Sequence, residues 1–396
     1  MSDTQIIVAG GGMGGLGAAL GMAKQGKHVV VLERAPKFGE IGAGIQLGPN
    51  VFHAFEYLGV GQGAREQAVF IERLNFMDAI TGEEVNHLSL DEGFRDRYGN
   101  PYAVVHRADL HLEFVRACQE NELIELRTNS EVAGYEQDGS SITAKLTNGE
   151  TITGELLVGA DGLRSAVRAQ LIGDGEPRIS GHSTYRAVIP YDQMPEELRW
   201  NAATLWMGPK CHLVHYPLSG WKVFNLVITK DNEAKEAVTA EPVEKETVRK
   251  NFDHIHPFPQ KLIDLADVWR RWVLCDREPT EQWVDGRAVL LGDAAHPTMQ
   301  YYAQGACMAI EDAVCLSHLV GRHSDDIEKA LPVYRDKRVV RTARIQLGSR
   351  DFGENWFHVS GVRAKIRNEI MRDMTAEDYY RQLDWVYGNN ALSNVA

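Results

Sequence analysis

Short apolar runs joined by helical patterns dominate the start of the chain. Residues 5–9 form an apolar run suited to a buried parallel strand, and HVVVLE at 28–33 forms a second run that ends in an acid. Between them, Leu16, Leu20 and Ala23 recur at helical spacing. Strand, helix and strand within about thirty residues predict a right-handed βαβ unit.

Two later apolar runs have the same character. ELLVGADG reads as a buried strand ending at Asp161-Gly162, after which Ser165 is placed to cap a helix. Upstream of it, Asn148-Gly149 predicts a hairpin turn. AVLLG forms the second buried strand, with Asp293 at its carboxyl end. Ligands of open α/β sheets bind at that edge, so these runs predict further pieces of the site that the βαβ unit begins.

The middle of the chain follows a different pattern. STYRAVIPYDQM, ATLWMGPKCHLVHYPLSGWKVFNLVITK and RRWVLCDREP alternate apolar and polar residues and contain many Trp and Tyr, which predicts an antiparallel sheet with a hairpin turn at Ser219-Gly220. By the period of two, His212, Val214 and Tyr216 share one face of their strand. We expect that face to line a pocket.

Composition narrows the possible partners. The 396 residues suit two or three intertwined domains, and 55 acidic against 42 basic residues give a formal charge of −13. Such a chain is a poor candidate for nucleic-acid binding. The chain shows no basic leader pattern at its start and no run of about 20 apolar residues, so we expect a cytoplasmic protein without stable membrane association.

Neither cysteines nor histidines indicate a metal site. The five cysteines form no C-x-x-C pair, which favours free thiols in a reducing compartment. His254 and His256 form H-x-H, and His106 and His111 lie five apart, but neither pair has a third ligand nearby. We therefore predict no metal. The basic run at 335–346 is read as one face of a helix.

The glycine cluster that opens the first helix carries the strongest signal. Gly10, Gly12 and Gly15 match G-x-G-x-x-G: the first allows the tight turn, the second lets a pyrophosphate approach the backbone, and the third lets helix and strand pack closely. Amides near Gly14 would face the phosphates, and Glu33 can accept hydrogen bonds from a ribose. An ordinary turn is the alternative. The strand before, the helix after and the acid at the second strand end together favour dinucleotide binding.

The segment GDAAHPTMQYYAQGACMAIEDA adds a second part of the site. A carboxylate at Asp293 can hold polyol hydroxyls such as a ribityl chain. The helix that follows begins near Gly305, Ala306 and Cys307, where free amides and a partial positive charge suit a ring that gains electrons on reduction. A flavin isoalloxazine is such a ring. The alternative is a helix buried for packing alone.

Taken in order, the glycine cluster with Glu33, DGLRSAVR and GDAAHP resemble the three fingerprints of the flavoprotein aromatic hydroxylases, single-component FAD monooxygenases. The resemblance implies FAD as cofactor, with NADH or NADPH as a transient electron donor that has no Rossmann domain of its own. It also implies a flavin contact at Arg107, an adenosine contact at Glu33-Arg34, an adenine contact at Val132, and approach of Gln46 to the ring edge.

Within that family, GPKCHLVHYPL and HPTMQYYAQGACMAIEDA are most similar to members that hydroxylate 3-hydroxybenzoate. The resemblance implies para-hydroxylation to 2,5-dihydroxybenzoate (gentisate) through a flavin hydroperoxide, with O2 as co-substrate. His212 would be the base that ionises the phenol, with Gln300 and Tyr216 assisting. A core histidine without catalytic role is the alternative for His212.

Other functions stay open at this point. Salicylate or 6-hydroxynicotinate hydroxylases of the same family, a flavoprotein of the same fold with other chemistry, and a nucleotide-binding protein without turnover are the alternatives. The partner of the substrate carboxylate is also open among Lys210, Arg186, Tyr302 and backbone amides. A monomer or a homodimer is expected.

The resulting fold prediction is α/β, a Rossmann-like FAD-binding domain with an inserted mixed or antiparallel-sheet substrate domain and C-terminal helices packed on the outside. The predicted pieces are 1–75, 101–175 and 272–344 for the FAD domain, 76–100 and 176–271 for the substrate domain, and 345–396 for the C-terminal helices.

Overall fold

The structure is a computed structural model that describes residues 5–39 and 44–390; the predicted FAD-domain residues 1–4 and 40–43 and the C-terminal residues 391–396 lie outside this description. The strands, in chain order, are β1 Gln5–Ala9, β2 His28–Leu32, β3 Gly44–Leu47, β4 Val69–Phe70, β5 Arg73–Asp78, β6 Glu84–Ser89, β7 Ala103–His106, β8 Ile124–Arg127, β9 Val132–Gln137, β10 Ile142–Leu146, β11 Thr151–Gly154, β12 Leu156–Gly159, β13 Arg178–Pro190, β14 Ala202–Gly208, β15 Cys211–Leu218, β16 Val223–Asp231, β17 Glu241–Val243, β18 Trp269–Asp276, β19 Val284–Asp285 and β20 Ala288–Leu290.

Helices surround and connect these strands. They are α1 Met13–Lys24, α2 Pro49–Leu58, α3 Gly61–Gln67, α4 Glu92–Tyr98, α5 Arg107–Gln119, α6 Ala166–Leu171, α7 Lys245–Asn251, α8 Pro257–Leu265, α9 Gly305–Arg322, α10 Ile327–Asp351, α11 Gly361–Asp373 and α12 Ala376–Tyr387. Short 3-10 turns occupy Tyr191–Gln193, Glu196–Leu198, Gly292–Ala294 and Gln300–Tyr302, and a π-helix occupies Phe352–Phe357.

A six-stranded sheet forms the dinucleotide-binding side, in the order β19-β20-β12-β1-β2-β8. β20, β12, β1, β2 and β8 run parallel to one another, and the edge strand β19 is antiparallel to β20. The apolar runs predicted as buried strands at 5–9 and 28–33 are therefore confirmed, the second one ending at Leu32. The hairpin predicted at Asn148-Gly149 is confirmed too, since it joins the antiparallel strands β10 and β11.

An eight-stranded sheet forms the second layer, in the order β17-β18-β13-β16-β15-β14-β5-β6. All its pairs are antiparallel except β14 with β5. Ser219-Gly220 makes the predicted turn between β15 and β16. Leu213 points into a core behind the sheet with Trp206, whereas His212, Val214 and Tyr216 line the cavity in front of it. The predicted shared face is confirmed.

The predicted domain pieces stay a prediction, but three of their boundaries fall inside elements. β5 crosses the boundary after 75, β18 the one after 271, and α10 the one after 344. Because β5 and β6 belong to the eight-stranded sheet, the substrate layer begins before residue 76.

The helices after residue 345 do not pack only on the outside, which corrects the prediction from the sequence. α11 and α12 lie against β6, and Met371, Tyr379 and Trp385 line the cavity between the two sheets. Phe76 of β5 stacks on Tyr379 with the ring centroids 5.5 Å apart. The reason is that β5 and β6 present apolar side chains, Phe76 and Leu88, to the cavity, and these helices shield them from water.

The basic run at 335–346 is helical as predicted, and two of its arginines pair with buried carboxylates. Arg338 is buried and its Nε and Nη1 bond Asp312 and Glu311 at 2.6 and 2.7 Å. Nε of Arg341 also bonds Glu311, at 2.8 Å. Two fully buried carboxylates on α9 need such cations, because an unpaired buried charge is strongly destabilising.

Candidate active site

A cavity of about 1080 Å³ lies between the two sheets. One wall of the cavity is the carboxyl edge of the six-stranded sheet. The residues that directly follow β1, β2, β12 and β20 line it, namely Gly10, Glu33, Ala160 and Leu291. This is the edge at which open α/β sheets bind ligands. Its volume slightly exceeds the roughly 300–1,000 Å³ of ordinary small-ligand pockets, which leaves room for a cofactor together with a substrate.

The cavity brings together nearly all residues that the sequence singled out. Gly15 and Cys307 do not line it and lie behind it. Those that line it are Gly10, Gly12, Gly14, Glu33, Arg34, Gln46, Arg107, Val132, Asp293, Gly305, Ala306, His212, Tyr216 and Gln300.

Two positions of the glycine cluster have no room for a larger residue. Gly10 has φ +104°, and a Cβ on it would lie 2.4 Å from the Ala160 carbonyl oxygen. A Cβ on Gly15 would lie 2.0 Å from the Gly10 carbonyl oxygen. The turn and the close helix–strand contact predicted for these two glycines are thus what the backbone requires.

Glu33 lies next to the glycine cluster at the end of β2, and together they form a cradle, defined here as Gly10–Gly15 with Glu33. Its two carboxylate oxygens accept hydrogen bonds from the backbone N–H groups of Gly11 and Ala35, each at 2.8 Å. Each oxygen keeps a further lone pair for a ribose hydroxyl. Beside it, Arg34 is exposed, and Val132 is buried at the start of β9.

The start of α9 faces the same cavity. Gln304, its N-cap residue, makes no side-chain cap, so the first backbone amides keep their donors for a ligand at Gly305 and Ala306. Cys307 is fully buried behind them, and burial raises the pKa of its thiol to about 12. Across the cavity, Gln46 is held by the hydroxyl of Tyr102, which donates to its Oε1 at 2.7 Å.

Gly10→Ala is expected to weaken cofactor binding by at least about tenfold. The new Cβ would collide with the backbone at Ala160 and force an unfavourable left-handed φ, so the cradle must open. Titration of the apoprotein with FAD, followed by flavin fluorescence, measures the effect.

Gly149→Ala is the matched control for that variant. Gly149 also has positive φ, at +90°, but nothing lies within 4 Å of its added Cβ, and it sits in the β10–β11 turn outside the cavity. It should lose stability while keeping its affinity for FAD. Equal affinity in both variants would show that the cradle does not contact the cofactor.

His212 lies on the substrate side of the cavity. It is 2% exposed, and its Nδ1 lies 2.8 Å from Nε2 of His358. Burial, and then the neighbouring His182, lower the pKa of His212 to about 3, so that the ring is neutral near pH 7. Because Nδ1 is engaged, Nε2 is the nitrogen left for a ligand.

Tyr216 and Gln300 complete this side. Burial raises the pKa of Tyr216, and Arg186 only partly offsets this, so that its phenol stays protonated. The Gln300 amide donates to Oγ1 of Thr229 and Thr184 at 2.8 and 3.3 Å. Gln300 is therefore fixed on the face of the eight-stranded sheet.

Arg186 places a cation on the substrate side. It lines the cavity, its Nη2 donates to Oε1 of Gln300 at 3.2 Å, and its guanidinium lies 5.3 Å from the Trp272 ring centroid. Burial lowers its pKa, and among the described residues no carboxylate bonds it. A partly buried cation without a counterion favours an anionic ligand.

The other candidates for a substrate carboxylate are less suitable. Lys210 is exposed, pairs with Glu233 at 3.5 Å and does not line the cavity. Tyr302 lines the cavity, and its ring packs on Phe352 and Trp385.

Sequence reasoning missed two contributions to the site. His358 was not singled out, although it bonds His212, and the α11–α12 wall was not placed at the cavity. Only the aromatic content of ENWFHVSG could have drawn attention to this segment, and composition does not tell which cavity a segment covers.

The described residues were predicted to hold no metal and no membrane-spanning segment. Within residues 5–39 and 44–390, no group of three His, Cys, Asp or Glu side chains is arranged to hold a metal ion. None of the described helices combines the length and the apolar content that crossing a membrane requires.

Comparison with known proteins identifies the family. The profile of the FAD binding domain family matches residues 3–341. The 3-hydroxybenzoate 6-hydroxylase 1 of Aquipseudomonas alcaligenes is 51% identical over 387 residues, covering 98% of both chains. The chain belongs to the flavoprotein aromatic hydroxylases. As a flavoprotein aromatic hydroxylase it is a flavin-dependent monooxygenase with FAD as its cofactor, and the cradle described above fits that cofactor.

Other comparisons agree with this flavoprotein hydroxylase assignment. The 3-hydroxybenzoate 6-hydroxylase of Polaromonas naphthalenivorans is 47% identical, covering 100% of this chain and 98% of its own. Among solved structures, Klebsiella pneumoniae HpxO complexed with FAD and uric acid superposes with a TM-score of 0.85 at 26% identity, covering 99% of this chain and 97% of that one. The predicted fold class is confirmed.

Proposed function

We propose that this enzyme hydroxylates 3-hydroxybenzoate at the carbon para to its hydroxyl, giving 2,5-dihydroxybenzoate (gentisate), with NADH as the electron donor. The names of the relatives support the substrate, and the resemblance to the family supports NADH. The observation that carries the proposal is a cation and a neutral histidine on one cavity face, at Arg186 and His212.

The sheet register sets the distance between these two groups. Arg186 of β13 lies opposite Val227 of β16, and Val227 lies opposite Val214 of β15. His212 precedes Val214 by two residues on β15 and lies opposite Thr229. Two strand spacings and two residues separate their Cα atoms by about 12 Å. With both side chains reaching into the cavity, a benzoate fits between them, its carboxylate at Arg186 and its meta hydroxyl at His212.

The cofactor is held by the dinucleotide side in this proposal. Gly12 and Gly14 would hold the pyrophosphate, Glu33 the ribose, and Asp293 the ribityl hydroxyls. Ala306 would lie beside the ring, and the other predicted contacts would come from Gly305, Arg107, Gln46, Arg34 and Val132. When bound and reduced, FAD supplies the activation of O2 that lets one oxygen atom be transferred to the ring.

The chain's own residues prepare the substrate for that transfer. Arg186 binds the carboxylate, and Gln300, which accepts from Nη2 of Arg186, keeps the guanidinium in place. His212 accepts the phenol proton at Nε2, because a phenolate directs electron density to its ortho and para carbons. The substrate's negative charge stabilises the imidazolium, and the Tyr216 phenol stays available as a hydrogen-bond donor.

A panel of substrates tests the proposal. We expect 3-hydroxybenzoate to stimulate NADH oxidation most strongly among 2-, 3- and 4-hydroxybenzoate and 6-hydroxynicotinate, and NMR of the product to show gentisate. Faster, better-coupled turnover of salicylate or 6-hydroxynicotinate would contradict it, as would a 2,3- or 3,4-dihydroxybenzoate product.

A further inference from the structure

Two histidines from distant parts of the chain meet at the substrate side of the cavity. His212 comes from β15, and His358 follows the π-helix at Phe352–Phe357. Their rings meet edge to edge, with their planes 25° apart and their centroids 5.1 Å apart, and Nδ1 of His212 lies 2.8 Å from Nε2 of His358. A π-helix next to such a contact is itself a frequent mark of functional sites.

The backbone holds His358 in this position from two sides. Its N–H donates to the carbonyl of Gly353 at 3.1 Å, and its carbonyl accepts from the N–H of Lys210 at 2.9 Å. Lys210 lies only two residues before His212, so the two imidazoles are tied to the same strand end. The contact between them is therefore built into the fold rather than left to two flexible side chains.

The contact has consequences for where the hydrogens lie. Burial lowers the pKa of His212 to about 3 and that of His358 to about 2, so each neutral ring carries a single N–H. If His358 were the donor, Nε2 of His212 would hold the hydrogen and could not accept a proton. If Nδ1–H of His212 is the donor, Nε2 presents its lone pair to the cavity.

We propose that His358 is the positioning residue for His212: it accepts the Nδ1–H of His212 on its own Nε2 and so keeps Nε2 of His212 free to take the phenol proton. In the step itself, the phenol O–H bond breaks and a new N–H bond forms at Nε2. The Nδ1–H stays on His212, where its hydrogen bond to His358 strengthens as the ring becomes positive. This inference rests on the proposed function, in which His212 is the base.

Other groups that act on the pair come from several elements. His182 of β13 has its ring 5.1 Å from that of His358, and its Nδ1 lies 2.5 Å from the Tyr301 hydroxyl. The charges that act on His182 are Asp231 at the end of β16, Glu354 in the π-helix and Arg178 in β13. Each stays unchanged in the variants below.

The test compares two replacements of His358 in the FAD-loaded enzyme. His358→Phe keeps an aromatic ring at this position but removes the acceptor, and should lower kcat for hydroxylation by roughly 10- to 100-fold, part of the 10²–10⁴-fold that a general base contributes. KM should change little, and peroxide release should rise. His358→Gln restores an acceptor oxygen near the position of Nε2 and should recover most of the rate. Should the Phe variant fail to retain FAD, His358→Leu takes its place.

A binding measurement separates positioning from packing. With 3-hydroxy-4-nitrobenzoate, whose phenolate absorbs visible light, difference spectra against pH report the ionisation of the bound phenol. The apparent pKa of the bound probe should rise in His358→Phe and return in His358→Gln. An unchanged probe pKa in His358→Phe, or equal losses in the Phe and Gln variants, would overturn the proposal.

A double variant distinguishes this inference from the function on which it rests. In a His212→Ala background, His358→Phe should lower the rate no further, because both act through one base. A second loss of the same size would refute the inference. If His212→Ala abolishes coupling while His358→Phe has full activity, the inference fails and the proposed base stands; if His212→Ala is fully coupled, both fail.

Discussion

His212→Ala is expected to lower the rate of hydroxylation by about 10²- to 10⁴-fold while FAD stays bound and reducible. Without a base at this position the substrate stays a neutral phenol, which is a poor partner for oxygen transfer, and the activated oxygen is released as peroxide. The measurement pairs NADH consumption with gentisate formation and with the oxygen recovered on adding catalase.

His215→Ala is the matched control for that variant. His215 lies three residues further along the same strand, is 1% exposed, and has its pKa lowered by burial to about 4, yet it faces the opposite core, where Trp206 donates to its Nδ1 at 3.3 Å. It should lose thermal stability but keep the ratio of gentisate to NADH. Uncoupling of the same size in both variants would show that the effect of His212 is one of folding.

Arg186→Met should raise the dissociation constant of 3-hydroxybenzoate by about 10- to 150-fold, because a hydrogen bond to a charged group contributes about 1.5–3 kcal/mol. Methionine keeps much of the length of the side chain and removes the cation. Titration of the oxidised enzyme with substrate, followed by the flavin absorbance, gives the constant. The difference from the unmodified enzyme should vanish for 3-methylphenol, which has no carboxylate.

Lys210→Met is the matched control. It removes an exposed cation in the β14–β15 turn of the eight-stranded sheet that pairs with Glu233, and it should leave the dissociation constant of 3-hydroxybenzoate unchanged. Weaker binding of 3-methylphenol and 3-hydroxybenzoate alike in Arg186→Met would contradict a carboxylate contact and indicate a general loss of cavity shape.

The parts of the fold that the sequence predicted are those with a local cause. Gly10 and Gly15 stand where backbone would otherwise collide, Ser165 caps its helix by accepting from the N–H of Arg168 at 2.8 Å, and the period of two placed His212 and Tyr216 on one face. Each of these follows from neighbours within one element or one turn, so the pattern of residues carries it.

The parts that the sequence did not predict depend on packing between distant segments. Arg338 looks like a surface charge in a basic run, and only the position of α9 makes it the partner of two buried acids. His358 is 146 positions from the histidine it bonds, and no periodicity connects them. The parallel pairing of β5 with β14 likewise depends on a long-range crossover.

The order of strands in the six-stranded sheet bears on how the protein assembles. Leu157 of β12 lies beside Ala288 of β20, 131 positions later, so pairing them closes a very long loop at an entropic cost. The inserted sheet lowers that cost once it has formed, since its β13 and β18 lie side by side and bring its two ends together. We therefore expect β20 to join the six-stranded sheet after the substrate layer has formed, so that the dinucleotide side is completed last.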